Sequence, residues 1–137
     1  MKDPAILAIA KNVLGMSDED IEKVTPEQEQ EFKNSIENMG KYQLVAEVVK
    51  SRYCAAGLQV GQKMVVKGAA IDPEGTDCPL CVGAIDGLVR ANAIYLDRCG
   101  QGRDVTAPLG GFACIDPGLD AGGLGSVVFA ARIEPIS

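Results

Sequence analysis

Five cysteines are the residues of this chain best able to do chemistry, and no histidine accompanies them. A metal centre built here must therefore use thiolates, with carboxylates as the only other strong ligands. A catalytic pair of serine or cysteine with a histidine base is excluded for the same reason. The five thiols belong to Cys54, Cys78, Cys81, Cys99 and Cys114.

The strongest local pattern is Cys78-Pro79-Leu80-Cys81, which lies at the predicted start of a helix. Two thiols at this spacing can hold one metal ion from a tight turn, as in zinc and iron–sulfur sites. The dipole at a helix N-terminus also favours thiolates, which suits a redox pair with Cys78 as the nucleophile and Cys81 as the resolving thiol. A third alternative is that these are structural thiols, since free cysteines are often buried.

The other cysteines favour a shared site. Cys54, Cys78 and Cys114 each follow a predicted strand or begin a helix, and such positions often converge at one edge of a sheet. We therefore predict a metal site made by these three, with Cys81 or Asp116 completing it. Four thiolates would suit structural zinc or an iron–sulfur cluster, whereas three would leave an open position for chemistry. An aspartate before a proline, as at Asp116, is also typical of a turn.

Cys99 is expected to lie apart from this site. It follows Cys78 by 21 residues, and a continuous helix of that length would separate the two by about 30 Å at ~1.5 Å per residue. One ion cannot bridge that distance, so the sequence predicts a structural role for Cys99.

The chain divides by composition into an acidic helical extension, residues 1–40, and a cysteine-containing α+β domain, residues 41–137. The extension holds nine acidic and four basic residues of a chain whose net charge is −6. Helices are predicted over residues 4–14, from Ser17, and from Thr25, where a threonine cap and a following proline give a strong start signal. The apolar stripe of the third helix is thin, so we expect these helices to pack on the domain or on another subunit.

The domain itself is predicted to be a small, mostly antiparallel sheet with one main helix. Runs of β-branched residues indicate the strands, and an apolar pattern at helical spacing indicates the helix, which Thr76 or Asp77 would cap. The strands are expected at residues 42–50, 63–67, 112–114 and 127–133, and the helix at residues 79–98.

Charge and hydropathy limit the classes of partner and the cellular location that the sequence supports. No basic patch that could bind nucleic acid is visible, and no apolar run approaches the ~18 residues that a membrane span needs. The first residues lack the pattern of a signal peptide. We therefore expect a cytoplasmic protein, in which an odd number of cysteines argues against a disulfide framework. An apolar content of 47% in so short a chain predicts homo-oligomers.

Several short pieces of the domain resemble a small family of uncharacterised prokaryotic proteins. The pattern of the family is a cysteine after a strand, a Gly-x-x-x-Gly stretch, a Pro-x-Gly-x-Cys-Pro turn, a helix, a Cys-x-Asp-Pro turn and a final Val-Val-Phe strand. Here these pieces lie at Cys54 and at residues 57–64, 73–79, 114–117 and 127–129.

The family has no established activity, so the resemblance indicates only which cysteines belong to one group. It implies that Cys54, Cys78 and Cys114 belong together with Asp116 nearby. It also implies that Cys81, Cys99 and residues 1–40 are additions, and that residues 100–111 replace an aromatic segment of the family domain.

The sequence thus leaves three functions open. The first is binding of a zinc ion or an iron–sulfur cluster through thiolates, and the second is thiol redox chemistry at the Cys78–Cys81 pair. The third is a role as an accessory or interaction subunit whose cysteines are buried, with the N-terminal helices as the surface for a protein partner. None of the three decides whether the protein is an enzyme.

Overall fold

A five-stranded antiparallel sheet is the frame of the computed structural model, which describes residues 1–137. The sheet order is β3-β2-β1-β5-β4, so the first and last strands of the chain lie side by side at its centre. The predicted α+β class, with a small antiparallel sheet and one main helix, is confirmed. The strands are β1 Tyr42–Arg52, β2 Lys63–Lys67, β3 Ala70–Ile71, β4 Gly111–Ala113 and β5 Ser126–Pro135.

Strands β1 and β5 pair along their whole length, from Tyr42 opposite Pro135 to Arg52 opposite Ser126. Side chains of a strand point alternately to the two faces of a sheet. On one face, Leu44, Ala46 and Val48 of β1 are fully buried and form part of the core. On the other face the Arg132 guanidinium bonds Glu47 and Glu134, which keeps the solvent-facing side polar.

The main helix lies on the apolar face of the sheet. Three helices precede the sheet and one follows β3: α1 Pro4–Asn12, α2 Asp18–Glu22, α3 Pro26–Met39 and α4 Val82–Gln101. Helix α4 buries Ala84, Leu88, Ala91 and Tyr95 against the strands. Burial of apolar surface stabilises a fold by about 25 cal/mol per Å² removed from water. We therefore expect this stripe and the facing strands to supply most of the free energy that favours folding.

The start of α4 differs from the prediction. Pro79 was expected to begin the helix under a Thr76 or Asp77 cap, but the N-cap is Cys81 and no side chain caps it. The two polar residues are used elsewhere: Thr76 Oγ1 accepts from the Val65 N–H at 2.9 Å, and Asp77 Oδ1 accepts from the Lys63 N–H at 2.7 Å. They fasten the loop before α4 to β2, and this tertiary role displaces the helix start to Val82.

The acidic extension packs on the domain through α3. Thr25 and Gln28 form the reciprocal capping box that the sequence predicts. On the other side of α3, Asn34 Nδ2 donates to the Gly100 carbonyl at 2.9 Å and Asn38 Nδ2 donates to the Cys99 carbonyl at 3.0 Å. These bonds satisfy carbonyls at the end of α4 that have no partner within the helix.

Smaller differences concern element ends. Helix α1 stops at Asn12, two residues before the predicted end, whereas β1 and β5 extend beyond theirs. The two-residue strand β3 and a short 3₁₀ helix, Leu119–Ala121, were not predicted. No helix is both long enough and apolar enough to cross a membrane.

Candidate functional site

Four of the five cysteines lie at one end of the sheet. Cys54 follows β1, Cys114 follows β4, and Cys81 caps the N-terminus of α4. The Cys114 N–H donates to the Val127 carbonyl at the start of β5, 2.9 Å away, which places the end of β4 beside the end of β1. The Cys78 thiol lies against the first residue of β2. The antiparallel order of the strands therefore brings all four segments to the same end of the sheet, which is the edge meant below.

Within this group, Cys81 and Cys114 both lie beside Gly83. A Cβ built on Gly83 would lie 3.7 Å from Cys81 Sγ and 3.1 Å from Cys114 Sγ. The separation of the two sulfurs is therefore no greater than the sum of those distances. Both residues are half-buried. Sequence reasoning placed Cys114 in one metal site with Cys54 and Cys78, with Cys81 or Asp116 completing it, and did not single out Cys81 and Cys114 as a pair.

Glycines of α4 make this approach possible. The Ile115 N–H donates to the Gly83 carbonyl at 3.2 Å, so the chain after β4 runs directly over the first turn of the helix. One turn further, the Phe112 ring occupies the space that a side chain on Gly87 would need, and it stacks on Phe129 at 4.8 Å. The sequence showed these two glycines only as weak points of a helix. A glycine two residues after the Cys-x-x-Cys pattern was the available signal for a close approach.

Cys78 has a different environment from the one expected. Its thiol is half-buried and donates a weak hydrogen bond to the Lys63 carbonyl at 3.7 Å. Burial raises the pKa of Cys78 above its usual value, and the negative charges of Asp77 and of an ionised Cys81 add to this. The predicted low-pKa nucleophile is therefore wrong for this side chain. Helix α4 begins at Val82, so Cys78 lies outside its first turn.

Cys54 completes the group at the end of β1. The preceding residue, Tyr53, has a φ of 52°, which is uncommon for a residue other than glycine and turns the chain sharply after the strand. Cys54 is half-buried and packs against the edge of the core. Its carbonyl accepts from the Gly57 N–H at 3.1 Å, which closes the turn.

Asp116 serves the loop that follows Cys114. Its Oδ1 accepts from the N–H groups of Gly118 and Leu124 at 3.1 and 3.0 Å, and its Oδ2 accepts from the Gly125 N–H at 2.8 Å. These backbone bonds, the one from Gly118 first, lower the pKa of Asp116. The Gly125 backbone in turn passes close to the Tyr53 carbonyl. The carboxylate thus ties the loop beside Cys54 and Cys114, with both oxygens already engaged.

Cys99 lies at the opposite end of α4. It is fully buried in the core beside Tyr95, and burial raises its pKa. The sequence expectation that Cys99 stands apart from the other four agrees with this position.

The arrangement stops short of a finished metal centre. No three cysteine, aspartate or glutamate side chains stand close enough together to hold an ion as they are placed. All five cysteines are free thiols. What the geometry provides is a dithiol, Cys81 with Cys114, and two further thiols at the same edge.

No family model, curated protein or solved structure matches this chain. The site must therefore be interpreted from its own chemistry.

The cysteine end also carries much of the exposed apolar surface. Val82 is 86% exposed and Ile115 is 72% exposed, and each is the neighbour of one cysteine of the dithiol. Single exposed hydrophobic residues are ordinary on a protein surface, but a cluster around one site favours contact with another molecule. The other large apolar side chains exposed near this end are Tyr53, Val60, Leu80, Leu119 and Leu124.

Proposed function

We propose that the protein binds a soft metal, a zinc ion or an iron–sulfur cluster, through thiolates at this end of the sheet. The observation that supports this is the approach of Cys81 Sγ and Cys114 Sγ to within 4 Å of one point beside Gly83. Zinc–thiolate bonds are about 2.3 Å long, so two sulfurs of one tetrahedral site lie about 3.8 Å apart. We expect rotation of the two side chains to bring them to that spacing.

Cys78 is the proposed third ligand. Its only hydrogen bond is a weak one to the Lys63 carbonyl, and a thiolate, which cannot donate, loses that bond and is free to turn. Burial and the nearby negative charges of Asp77 and Cys81 oppose ionisation of Cys78 in the metal-free protein. A bound cation reverses this effect. It stabilises the Cys78 thiolate directly, and the negative charges of Asp77 and Cys81 then attract the cation.

Cys54 is the proposed fourth ligand, since it is the remaining half-buried thiol at this edge. Asp116 is not part of the proposed ligand set, because its two oxygens already accept three backbone N–H groups. Breaking those bonds would release the loop that holds Cys114 in place.

The proposal is tested by metal content and spectra of protein purified without oxygen or chelator. Stoichiometric zinc, or iron with sulfide-to-iron absorbance, is the expected result. Cys81→Ser and Cys114→Ser should each lose the metal and with it the rise in melting temperature that metal binding gives to a folded state. Affinity should also rise with pH, because the thiols must lose their protons to bind.

Asp120→Asn is the matched control, since it changes an exposed carboxylate of the loop that follows Cys114 and is not a proposed ligand. It should keep its metal. If all the cysteine variants keep wild-type metal content and melting temperature, or if the chain takes up no soft metal at all, the proposal is wrong.

A second proposal concerns self-association. A groove of about 360 Å³ between the N-terminal helices is lined by Leu14, Met16, Val24 and Phe32. Leu14, which lines the groove, is 55% exposed, and the adjacent Val13 projects from the same face and is 74% exposed. A groove and an apolar projection on the same face are self-complementary under a two-fold axis, so we propose a homodimer formed by the N-terminal helices.

Light scattering over a range of concentrations tests the dimer. The wild-type chain should have twice the monomer mass, and Val13→Glu should reduce it to the monomer because a charge would enter the apolar groove. Val49→Glu, at a side chain that is 47% exposed on the sheet, is the control and should leave the dimer intact. A wild-type monomer at all concentrations would contradict the proposal.

The proposed setting is the cytoplasm, where reducing conditions keep thiolates available for metal. The excess of acidic side chains in residues 1–40 disfavours nucleic acid and favours a basic protein surface as any further partner.

A further inference from the structure

We propose that Cys81 and Cys114 form a reversible disulfide in the metal-free protein, and that this pair is the redox site of the chain. The inference stands on the position of the two sulfurs and holds whether or not a metal binds. It differs from the sequence pattern, which offers Cys78 with Cys81.

Both sulfurs border the site that a side chain on Gly83 would fill, where a Cβ would lie 3.1 Å from Cys114 Sγ and 3.7 Å from Cys81 Sγ. The Ile115 Cγ1 atom borders the same site at 3.3 Å. A disulfide requires the sulfurs to approach to about 2.05 Å with the two Cβ atoms about 3.8 Å apart. Cys114 lies on the segment that the Ile115–Gly83 hydrogen bond already holds against the helix. Because the two sulfurs are no farther apart than the sum of their distances from the Gly83 Cβ position, we expect rotation of the two side chains to close the bond.

The Cys78–Cys81 pair is less favourable by comparison. The Cys78 thiol points to the Lys63 carbonyl of β2, to which it donates a weak hydrogen bond at 3.7 Å. Cys78 also belongs to the loop that Asp77 fastens to the Lys63 N–H at 2.7 Å, which limits its movement.

A low-molecular-weight disulfide such as oxidised glutathione is the proposed oxidant. The thiolate of one cysteine attacks a sulfur of that disulfide, forms a mixed disulfide and releases one small thiolate. The thiolate of the second cysteine then attacks the protein sulfur and releases the other small thiol. Two protein thiols lose two protons and two electrons, and one small disulfide becomes two small thiols. Both cysteines are half-buried rather than enclosed, so the oxidant can reach them.

The disulfide and the metal compete for the same sulfurs. An oxidised Cys81–Cys114 pair has no thiolate to offer, so oxidation would release a bound metal and metal would protect the pair from oxidation. The two states would be alternatives set by the redox condition and the metal supply.

Tryptic mapping distinguishes the two disulfides directly. Cleavage after lysine and arginine leaves Cys78 and Cys81 together in residues 68–90 and places Cys114 in residues 104–132. Cys54 and Cys99 fall in separate peptides, residues 53–63 and 99–103. The full chain, freed of metal with chelator, is incubated in glutathione buffers of increasing oxidised fraction, alkylated, digested and analysed by mass spectrometry.

The expected product joins residues 68–90 to residues 104–132 and returns to free thiols on addition of dithiothreitol. Cys78→Ser should give the same product, whereas Cys81→Ser and Cys114→Ser should lose it. Gly83→Ala should form it about tenfold more slowly, because a methyl group would crowd both sulfurs, at 3.1 Å from Cys114 Sγ and 3.7 Å from Cys81 Sγ. Circular dichroism of each variant checks that it has folded.

Three results would overturn the inference. They are an internal disulfide within residues 68–90, a product that contains Cys54 in place of Cys114, and complete alkylation of Cys81 and Cys114 in fully oxidised glutathione. Because metal is removed throughout, none of these outcomes depends on whether the metal proposal is right. The absence of metal binding would likewise leave the disulfide intact.

Discussion

The two ends of α4 place the same residue type in opposite environments. At the C-terminal end Cys99 is fully buried, and the Cys99 and Gly100 carbonyls accept hydrogen bonds from Asn38 and Asn34 of α3. At the N-terminal end Cys81 is half-buried, and no side chain caps the helix. One end is closed by packing and hydrogen bonds, whereas the other leaves its thiols and backbone N–H groups open.

This difference separates structural from chemical cysteines more clearly than the sequence spacing does. A thiol that fills the core contributes through its volume and its contacts, and burial keeps it protonated. The other four thiols are only partly buried and pack against the border of the core. The proposed chemistry is therefore assigned to them, and a structural role to Cys99.

The largest expected effect is the difference in stability between serine substitutions at the two ends of α4. Cys99→Ser places a hydroxyl in a fully buried apolar site and should lower the free energy of unfolding by about 2 kcal/mol. Cys81→Ser, at the half-buried end, should change it by less than about 0.5 kcal/mol in metal-free protein. Urea unfolding of both variants measures the contrast. Equal losses for the two substitutions would remove the distinction between the ends.

A matched pair of glycines sharpens the comparison at smaller magnitude. A Cβ on Gly100 would lie 2.9 Å from Glu31 Cγ and 3.3 Å from Ser35 Oγ, so these side chains of α3 would have to shift. Gly100→Ala should therefore cost about 1 kcal/mol of unfolding free energy. Gly83→Ala has no contact below 3.0 Å and meets the two thiols and Ile115 Cγ1, which can give by a few tenths of an ångström. The better helix propensity of alanine should then give a gain of up to about 0.5 kcal/mol. Thermal unfolding gives both values, and a loss for Gly83→Ala would contradict the open character of the N-terminal end.

The smallest effect concerns the loop of Asp116. Because its pKa is lowered in the folded protein, its charge stabilises the loop at neutral pH, and that contribution is lost as the pH falls through the lowered pKa, below about 4. Asp116→Asn should raise the hydrogen-exchange rate of the Gly125 amide at neutral pH, since one of three acceptor contacts is lost. Asp120→Asn, at an exposed side chain of the same loop, is the control. Unchanged exchange in the Asp116 variant would show that the carboxylate does not hold the loop.

Local signals in the sequence predicted most of the frame. The Thr25 cap with Gln28 and the β-branched runs of β1 and β5 depend on neighbours along the chain, so they were visible. The start of α4 was not, because Thr76 and Asp77 hydrogen-bond to β2, a tertiary contact that outweighs their capping preference. Strand β3 has two residues, too few for any pattern to register.

The candidate site, like the fold, was predicted only in part from the sequence. The convergence of strand ends was predictable from topology, and Cys99 was placed apart by the length of a helix. The pairing of Cys81 with Cys114 was not predictable from spacing, because it follows from the passage of the chain over Gly83. Asp116 was taken as a ligand candidate on proximity alone, whereas its oxygens serve backbone groups up to nine residues away.

Alkylation of the native protein with and without zinc tests the central claim most directly. Mass spectrometry would follow each cysteine during a short pulse of iodoacetamide. We expect Cys54, Cys81 and Cys114 to be labelled in the metal-free protein, Cys78 to be labelled more slowly, and all four to be protected by stoichiometric zinc, with Cys99 unlabelled in both states. Labelling that zinc leaves unchanged at all four sites, or rapid labelling of Cys99, would contradict the account.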